Sequence, residues 1–349
     1  MDQEITIAGR RIGPGHPPYV ICELSGNHNG SLERALTMID AAAATGADAI
    51  KLQTYTADTL TLACDGPGFR IEDGPWAGRT LHDLYAEAYT PYDWHGALFD
   101  RARQRGVTIF STPFDATAVD LLERLGAPAY KIASFEAVDL PLIARVAACG
   151  KPMIISTGLA SLAEMGESLE TARSGGAAGV VLLHCVSSYP APIEEANVRT
   201  VPDIAARFGV IAGLSDHTPG TAASVAAVAL GAAVIEKHFT LARADGGPDA
   251  AFSLEPAEFT ALVRDCKDAW RALGSAAYDE LGSERAAAGH RRSLYVAAAV
   301  KAGETLTDAN VRSVRPGYGL PPKHLPQVLG RKAARDLKFG EPLDWSMVE

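Results

Sequence analysis

Eight short β-rich runs, each followed by a helical pattern, recur over the first three quarters of the chain, and this alternation restricts the fold more than any other feature. The runs are YVICEL (19–24), AIKLQTY (49–55), VTIFSTP (107–113), AYKIAS (129–134), MIIST (153–157), VVLLHCVSS (180–188), VIAGLSDH (210–217) and AVIEKHF (233–239). Helix signals fill the gaps: SLERALTMIDAAAATG opens on a serine cap with Glu33 close behind and closes on glycine, and TPGTAASVAAVALG closes the same way. Apolar strands separated by amphipathic helices imply parallel strands joined by crossovers. Eight such units in about 250 residues match an α/β fold of the (β/α)8 TIM-barrel type, with a doubly wound open sheet as the alternative.

Every run ends in polar chemistry: Glu23; Lys51 and Gln53; Ser111 and Thr112; Lys131 and Ser134; Ser156 and Thr157; His184, Ser187 and Ser188; Ser215, Asp216 and His217; Glu236, Lys237 and His238. In a barrel these tails are expected to converge on one mouth, where active sites of this fold lie. The two-residue period puts Lys51 with Gln53, and Glu236 with His238, on shared faces. Any one of these residues reads equally well as a strand end meeting solvent; eight such ends together point to a site.

His217 and His238 end neighbouring strands, so their imidazoles are candidate ligands for one divalent cation, with Glu236 and Asp216 expected to orient the rings. Two imidazoles with further positions open to water or substrate suit a Lewis acid rather than a closed structural site. Lys51 and Lys131, with the hydroxyls of Thr112, Ser134, Ser156 and Ser215, supply what a ligand bearing both carboxylate and phosphate requires. The alternatives are rim lysines, helix caps, or a Schiff-base lysine as in class I aldolases. Glu23, in the tight loop ELSGNHNGS, is a candidate base or sugar-hydroxyl partner. His28 in that loop reads as a loop residue, and Asp249 falls in the mobile-looking GGPDAAFSLEP.

The gap between the second and third runs exceeds one helix, and its aromatics Trp76, Tyr85 and Tyr89 indicate a lid that packs. EITIAGRRIG reads as a small hairpin plugging the opposite end of the barrel. The barrel domain therefore spans 1–273, a linker of Ala, Gly, Ser and charged residues spans 274–289, and a second small domain spans 290–349. Within it KAGETLTDANV (301–311) and KFGEPLDWSMV (338–348) share Lys, Gly, Glu, Leu and Val at identical offsets, an internal repeat. Between them VRPGYGLPP makes a rigid turn around Arg315 and Tyr318. So small a domain buries little core of its own, which predicts that it leans on the barrel or on a partner.

A formal net charge of -10 argues against a nucleic-acid surface. The five cysteines form no C-x-x-C pair, which fits a reducing cytoplasm. The start of the chain lacks an apolar signal core and no apolar run reaches the ~18 residues of a membrane span, so a soluble cytoplasmic protein is expected.

In order and spacing, ICELSGNHNGSLERAL, DAIKLQTYT, FSTPFD, YKIASFE, ISTG, CVSSYPAP, GLSDHT and IEKHFT resemble the sialic acid synthase family. VRPGYGLPP with GRKAARDLKFGEPL is similar to that family's C-terminal SAF domain, an antifreeze-like β-clip. ELSGNHNG in place of a Gly-Gln or Gly-Val form, LHDLYAEAYTP and KIASFE resemble its pseudaminic acid synthase branch.

The resemblance implies metal-dependent condensation of phosphoenolpyruvate with an open-chain amino sugar, here 2,4-diacetamido-2,4,6-trideoxy-L-altrose, releasing phosphate. N-acetylneuraminate or legionaminate synthase is the alternative with the same chemistry, and a class I aldolase or a non-catalytic carbohydrate-binding barrel are rivals of other classes. By position, His217 and His238 match ligands of Mn2+ or Mg2+. Lys51, Thr112, Lys131, Ser134, Ser156, Ser187 and Ser215 match the phosphoenolpyruvate cradle, although Ser187 and Ser188 occupy the stretch where the family has an asparagine before Tyr-Pro. Glu23, Gln53, Tyr189 and Asp249 match sugar-side positions, Glu23 being the one for proton handling, and Glu236 is a further catalytic candidate whose carboxylate could stabilise an electron-poor C2. Arg315 matches the arginine that one subunit lends to another in a domain-swapped homodimer.

Overall fold

The computed structural model describes residues 4–74, 76–279 and 281–349, and divides after Gly274 into two compact units. In the first, a hairpin of β1 (Ile5–Ile7) and β2 (Arg10–Ile12) precedes a closed barrel of eight parallel strands. These are β3 (Tyr19–Glu23), β4 (Ala49–Thr54), β5 (Thr108–Pro113), β6 (Tyr130–Ile132), β7 (Met153–Ser156), β8 (Val180–Cys185), β9 (Ile211–Asp216) and β10 (Val234–His238). β10 pairs with both β9 and β3, which closes the ring. All eight runs read from the sequence are strands of this (β/α)8 barrel, and the open sheet is ruled out.

The period-two alternation of each strand divides the core. Tyr19, Ile21, Ala49, Phe110, Ile154, Val181, Leu183, Ile211 and Val234 fill the lower barrel interior together with Ile5, Ile7 and Ile12 of the hairpin. The hairpin is thus the expected plug, and burial of its three isoleucines contributes about 1.5–3 kcal/mol each. Alternate residues such as Val20, Ile50, Ile132, Ile155, Leu182, Leu214 and Ile235 pack against the surrounding helices. Those helices form where their caps say they should: Ser31 Oγ accepts from Arg34 N (3.2 Å) at the start of Leu32–Ala44. Gly213 faces Val234 across β9 and β10, and a Cβ there would lie 2.3 Å from Val234 O and 2.7 Å from Leu183 Cδ2, so only glycine fits that layer.

The segment between β4 and β5 forms helices Ala57–Leu60 and Leu81–Ala88 and packs as predicted. Trp76 Nε1 donates to Pro248 O (2.8 Å), and Tyr85 meets Tyr55 edge to face. Gly26 of the loop after β3 lies so close to Ala88 that a Cβ would come within 2.8 Å of its carbonyl oxygen.

The second unit is built around antiparallel β11 (Ser293–Val296) and β12 (Val311–Val314). The internal repeat is structural: Lys301 N donates to Glu304 Oε2 (2.8 Å) and Lys338 N to Glu341 Oε2 (3.0 Å), so each copy makes the same carboxylate-closed turn. The repeated Leu306 and Leu343, and Val311 and Val348, all enter one core. This unit therefore holds a hydrophobic centre of its own. No described helix is long and apolar enough to cross a membrane.

Candidate active site

At the carboxyl ends of the strands the inward positions change from apolar to charged. Register places Glu23 beside Lys51 and His238, Gln53 beside Thr112, and Glu236 beside Ser215. Lys51 Nζ lies 3.0 Å from Glu23 Oε2 and 3.2 Å from Glu236 Oε1, and donates to Thr112 Oγ1 at 3.2 Å. Lys131 Nζ lies 3.6 Å from the same Glu236 oxygen and donates to Ser156 Oγ at 2.6 Å.

Glu23, Lys51, Glu236 and Lys131 are all buried, so each charge depends on its neighbours to offset its desolvation. Burial raises the Glu23 carboxyl pKa, with Lys51 opposing and Glu236 adding to the rise. Burial also works against ionised Glu236, but Lys131 and Lys51 together outweigh it and hold its pKa below the usual range. Burial works against charged Lys51 as well, yet Glu23 and Glu236 raise it on balance. Burial lowers Lys131. Glu236 is thus the ionised hub between two lysines, and an entering anion competes with it for both.

Short donors surround the lysines. Ser215 Oγ donates to Glu236 Oε1 (3.4 Å), and Ser134 Oγ accepts from Gly158 N (3.2 Å). A Cβ at Gly158 would lie 2.3 Å from Ser187 Oγ and 2.9 Å from Ser134 Oγ, so this glycine keeps a gap into which both hydroxyls project. Lys51, Thr112, Lys131, Ser156 and Ser215 thus share one cluster around Glu236 at the strand ends, and Ser134 and Ser187 meet beside Gly158.

The His217 and His238 rings have centroids 5.4 Å apart and are inclined at 64°. His217 Nδ1 donates to Val186 O (3.0 Å), so in the neutral ring Nε2 carries the lone pair; burial works against the charged ring, but Cys185 and the Val186 carbonyl outweigh it and raise the His217 pKa. His238 is held well below the usual histidine pKa by burial first, then by His217 and the nearby lysines, so it is a neutral imidazole. Its Nδ1 is buried without a hydrogen-bond partner. A fixed tautomer on one ring and an orphaned nitrogen on the other suit a cation held by two imidazoles. Among the described residues no set of three or more His, Cys, Asp or Glu side chains forms a metal cage, so other ligands would be water or substrate oxygen.

Tyr189 lies over this pair, its ring 4.3 Å from that of His217 and 5.9 Å from that of Trp76. Asp249 Oδ2 is 3.7 Å from His238 Nδ1. Gln53 Nε2 donates to Glu23 Oε1 (2.9 Å) and to Ser25 Oγ (3.2 Å). Arg315 belongs to the second unit, exposed on the turn after β12.

Two expectations require correction. The strand-end polar residues do not all face the mouth, because alternation sends every second one into the strand–helix layer. Ser111 bonds Thr54 (2.6 Å), His184 Nε2 donates to Ala196 O (2.8 Å), and Asp216 Oδ2 pairs with Lys237 Nζ (2.9 Å) and accepts from Ser224 Oγ (2.6 Å). For the same reason Asp216 does not orient a histidine ring: the Val186 carbonyl performs that role for His217, and the carboxylate beside His238 is Asp249. His28 is a loop residue, as read, its Nδ1 accepting from Gly30 N (3.1 Å).

Sequence reading passed over three residues. Glu136, just after Ser134, has an unpartnered buried Oε2 and a pKa raised to about 7, chiefly by burial. Cys185 Sγ lies 3.8 Å from His217 Nδ1. Ser25 Oγ donates to Asp249 Oδ2. An acidic residue two places beyond a site serine was the available signal for Glu136; the other two depend on loop geometry.

The NeuB family profile matches residues 38–278, and the SAF domain profile matches residues 291–349. The pseudaminic acid synthase of Campylobacter jejuni is 45% identical over 328 residues, covering 93% of this chain and 95% of that protein. The N,N'-diacetyllegionaminic acid synthase of the same strain is 34% identical over 331 residues, covering 92% and 97%. Among solved structures, the N-acetylneuraminic acid synthetase of Leptospira borgpetersenii, crystallised with citrate, superposes with a TM-score of 0.73 at 32% identity, covering 82% of this chain and 95% of that one. With its eight-stranded barrel and these matches, the chain belongs to the NeuB family and carries a SAF domain.

Proposed function

We infer that this chain is a pseudaminic acid synthase, a transferase that joins phosphoenolpyruvate to 2,4-diacetamido-2,4,6-trideoxy-L-altrose and releases phosphate. The observation that carries the chemistry is the pairing of Lys51 and Lys131 on one Glu236 oxygen, at 3.2 and 3.6 Å, on the strand that ends in His238. The branch is supported by the 45% identity to a pseudaminic acid synthase against 34% to a legionaminic acid synthase.

On this reading Lys51 and Lys131 bind the phosphate and carboxylate of phosphoenolpyruvate in place of part of their contact with Glu236. Thr112, Ser134, Ser156, Ser187 and Ser215 donate the remaining hydrogen bonds. His217 and His238 would hold a divalent cation, Mn2+ or Mg2+, which when bound would supply Lewis-acid polarisation of the sugar aldehyde oxygen. The enol carbon forms the new carbon–carbon bond to the aldehyde carbon, leaving C2 electron-poor. Glu236 and Glu23 face that developing positive charge and guide water to C2; phosphate then leaves by C–O cleavage. Tyr189, Gln53 and Asp249 bind the sugar, and Trp76 with Tyr189 shields the site from bulk water.

The reading extends to a homodimer in which Arg315 of one copy completes the site of another, supported by the similarity of VRPGYGLPP to the family's SAF turn. A cytoplasmic setting is supported by five free cysteines.

The test is phosphate release from phosphoenolpyruvate across a panel of aminohexoses, before and after chelation. A preference for the 2,4-diacetamido-2,4,6-trideoxy sugar, abolished by chelator and restored by Mn2+ or Mg2+, is expected. Preference for N-acetylmannosamine or the legionaminate precursor would overturn the branch, and full activity in verified metal-free protein would overturn the cation's role.

A further inference from the structure

Ser25 stands apart among the residues with positive φ. Non-glycine residues adopt positive φ at Ala8, Ser25, Asn29, Leu159 and Asn197, and of these described positions only Ser25 (φ 48°) is buried. Left-handed backbone is unfavourable for a residue with a Cβ, and glycine would adopt it freely. Strain of this kind persists where the side chain returns something that glycine cannot.

What serine adds is one hydroxyl, and that hydroxyl is fully used. It donates to Asp249 Oδ2 and accepts from Gln53 Nε2 at 3.2 Å, while the other Nε2 proton goes to Glu23 Oε1 at 2.9 Å. One oxygen thereby joins the loop after β3, the end of β4 and the loop after β10. The last of these reaches Asp249 through Gly246 (φ 70°) and Gly247 (φ 128°), backbone that by itself would not hold a carboxylate in place. Besides Ser25, which alone among the described residues hydrogen-bonds its carboxylate, Asp249 is held through its backbone: its N–H donates to Asn27 Oδ1 at 3.2 Å and its carbonyl accepts from Ser253 Oγ at 2.6 Å. With both Nε2 protons of Gln53 committed, its Oε1 remains as an acceptor on a side chain joined through Ser25 to the Asp249 carboxylate. Two acceptors at a set spacing suit a ligand rich in N–H and O–H donors.

We propose that Ser25 is a positioning residue for the sugar substrate: its hydroxyl locks Asp249 against Gln53 so that the two present acceptors to the acetamido N–H and hydroxyl groups. The proposal rests on the reading of Gln53 and Asp249 as sugar-side groups, so its test separates the two.

Full-length wild type, S25G and S25A are assayed with Mn2+, phosphoenolpyruvate and 2,4-diacetamido-2,4,6-trideoxy-L-altrose, and S25G is repeated in a D249A background. Loss of a hydrogen bond to a charged group should raise the sugar KM roughly 10- to 100-fold in both single variants. The phosphoenolpyruvate KM should stay within about twofold, because Ser25 touches none of the cradle residues. The Tm of S25G should stay within a few degrees of wild type, because the backbone relief that glycine brings offsets much of the loss of the hydroxyl's two bonds. In D249A the added S25G change should have little further effect on sugar KM. An unchanged sugar KM in S25G, parallel rises in both KM values with a Tm loss of more than a few degrees, or full multiplicative effects with D249A would each overturn the positioning role. Wild-type inactivity toward every aminohexose would instead refute the functional reading, and this inference with it.

Discussion

Lys237→Met should destabilise the barrel by an amount that can be worked from its contacts. Lys237 lies between Glu236 and His238 on β10 but points the opposite way, and its Nζ is 2.9 Å from Asp216 Oδ2 and donates to Thr218 O at 2.6 Å. Both side chains of the pair are 1% exposed, so removing the cation strands a carboxylate where water cannot reach it. Breaking a buried pair in this way costs about 3–5 kcal/mol. Asp216 would keep three donors, Thr218 N (2.8 Å), Thr218 Oγ1 (2.8 Å) and Ser224 Oγ (2.6 Å), which places the cost near about 3 kcal/mol. At about 2–4 °C per kcal/mol, Tm should fall by about 6–12 °C.

Urea unfolding followed by circular dichroism, with calorimetry for Tm, measures this directly. The decisive comparison is the double variant Lys237→Met with Asp216→Asn, which removes the stranded charge and should recover more than 1 kcal/mol of the loss. Because Asp216 and Lys237 are register partners immediately before His217 and His238, Mn2+ affinity should weaken in the single variant and recover in the double. A single variant within 1 kcal/mol of wild type, or strictly additive effects in the double, would refute the argument that this ion pair braces the two strand ends.

Two further outcomes follow from the site. The folded pKa of Glu136 is raised from 4.5 to about 7 by burial, so wild type loses stability as pH rises through that window. Glu136→Gln should therefore exceed wild type by about 3 kcal/mol at pH 8 and match it near pH 4.5; parallel stability–pH curves would refute the assignment. Gly158→Ala would force Ser187 and Ser134 apart and should raise the phosphoenolpyruvate KM about tenfold with sugar KM nearly unchanged and only a small loss of Tm, because the two closest displaced atoms are side-chain ends and the backbone oxygen of Cys185, at 3.3 Å, need give only slightly. An unaltered phosphoenolpyruvate KM would remove those two hydroxyls from the cradle.

The amino-acid sequence by itself determined the barrel, because eight apolar runs separated by capped helices leave few other ways to bury both faces of a parallel sheet. It also determined which side chains sit on the inner face wherever a strand is regular: Lys51 with Gln53, and Glu236 with His238, follow from a period of two. The repeat at Lys301 and Lys338 was legible for a similar reason, since each copy builds the same turn from local contacts.

The tertiary structure alone decided where strands stop and loops begin to choose partners. Adjacent polar residues such as Asp216 and His217 look equivalent in a row of letters, yet one faces the helices and the other the mouth. Ser25, Asp249 and Gln53 are far apart in the chain and meet only because three segments end at one rim. The pairing of His217 with a carbonyl rather than a carboxylate likewise arises from the path of the loop after β8. Local periodicity is short-ranged and readable, whereas the partner of a loop side chain is set by contacts across the whole ring, which no stretch of sequence contains.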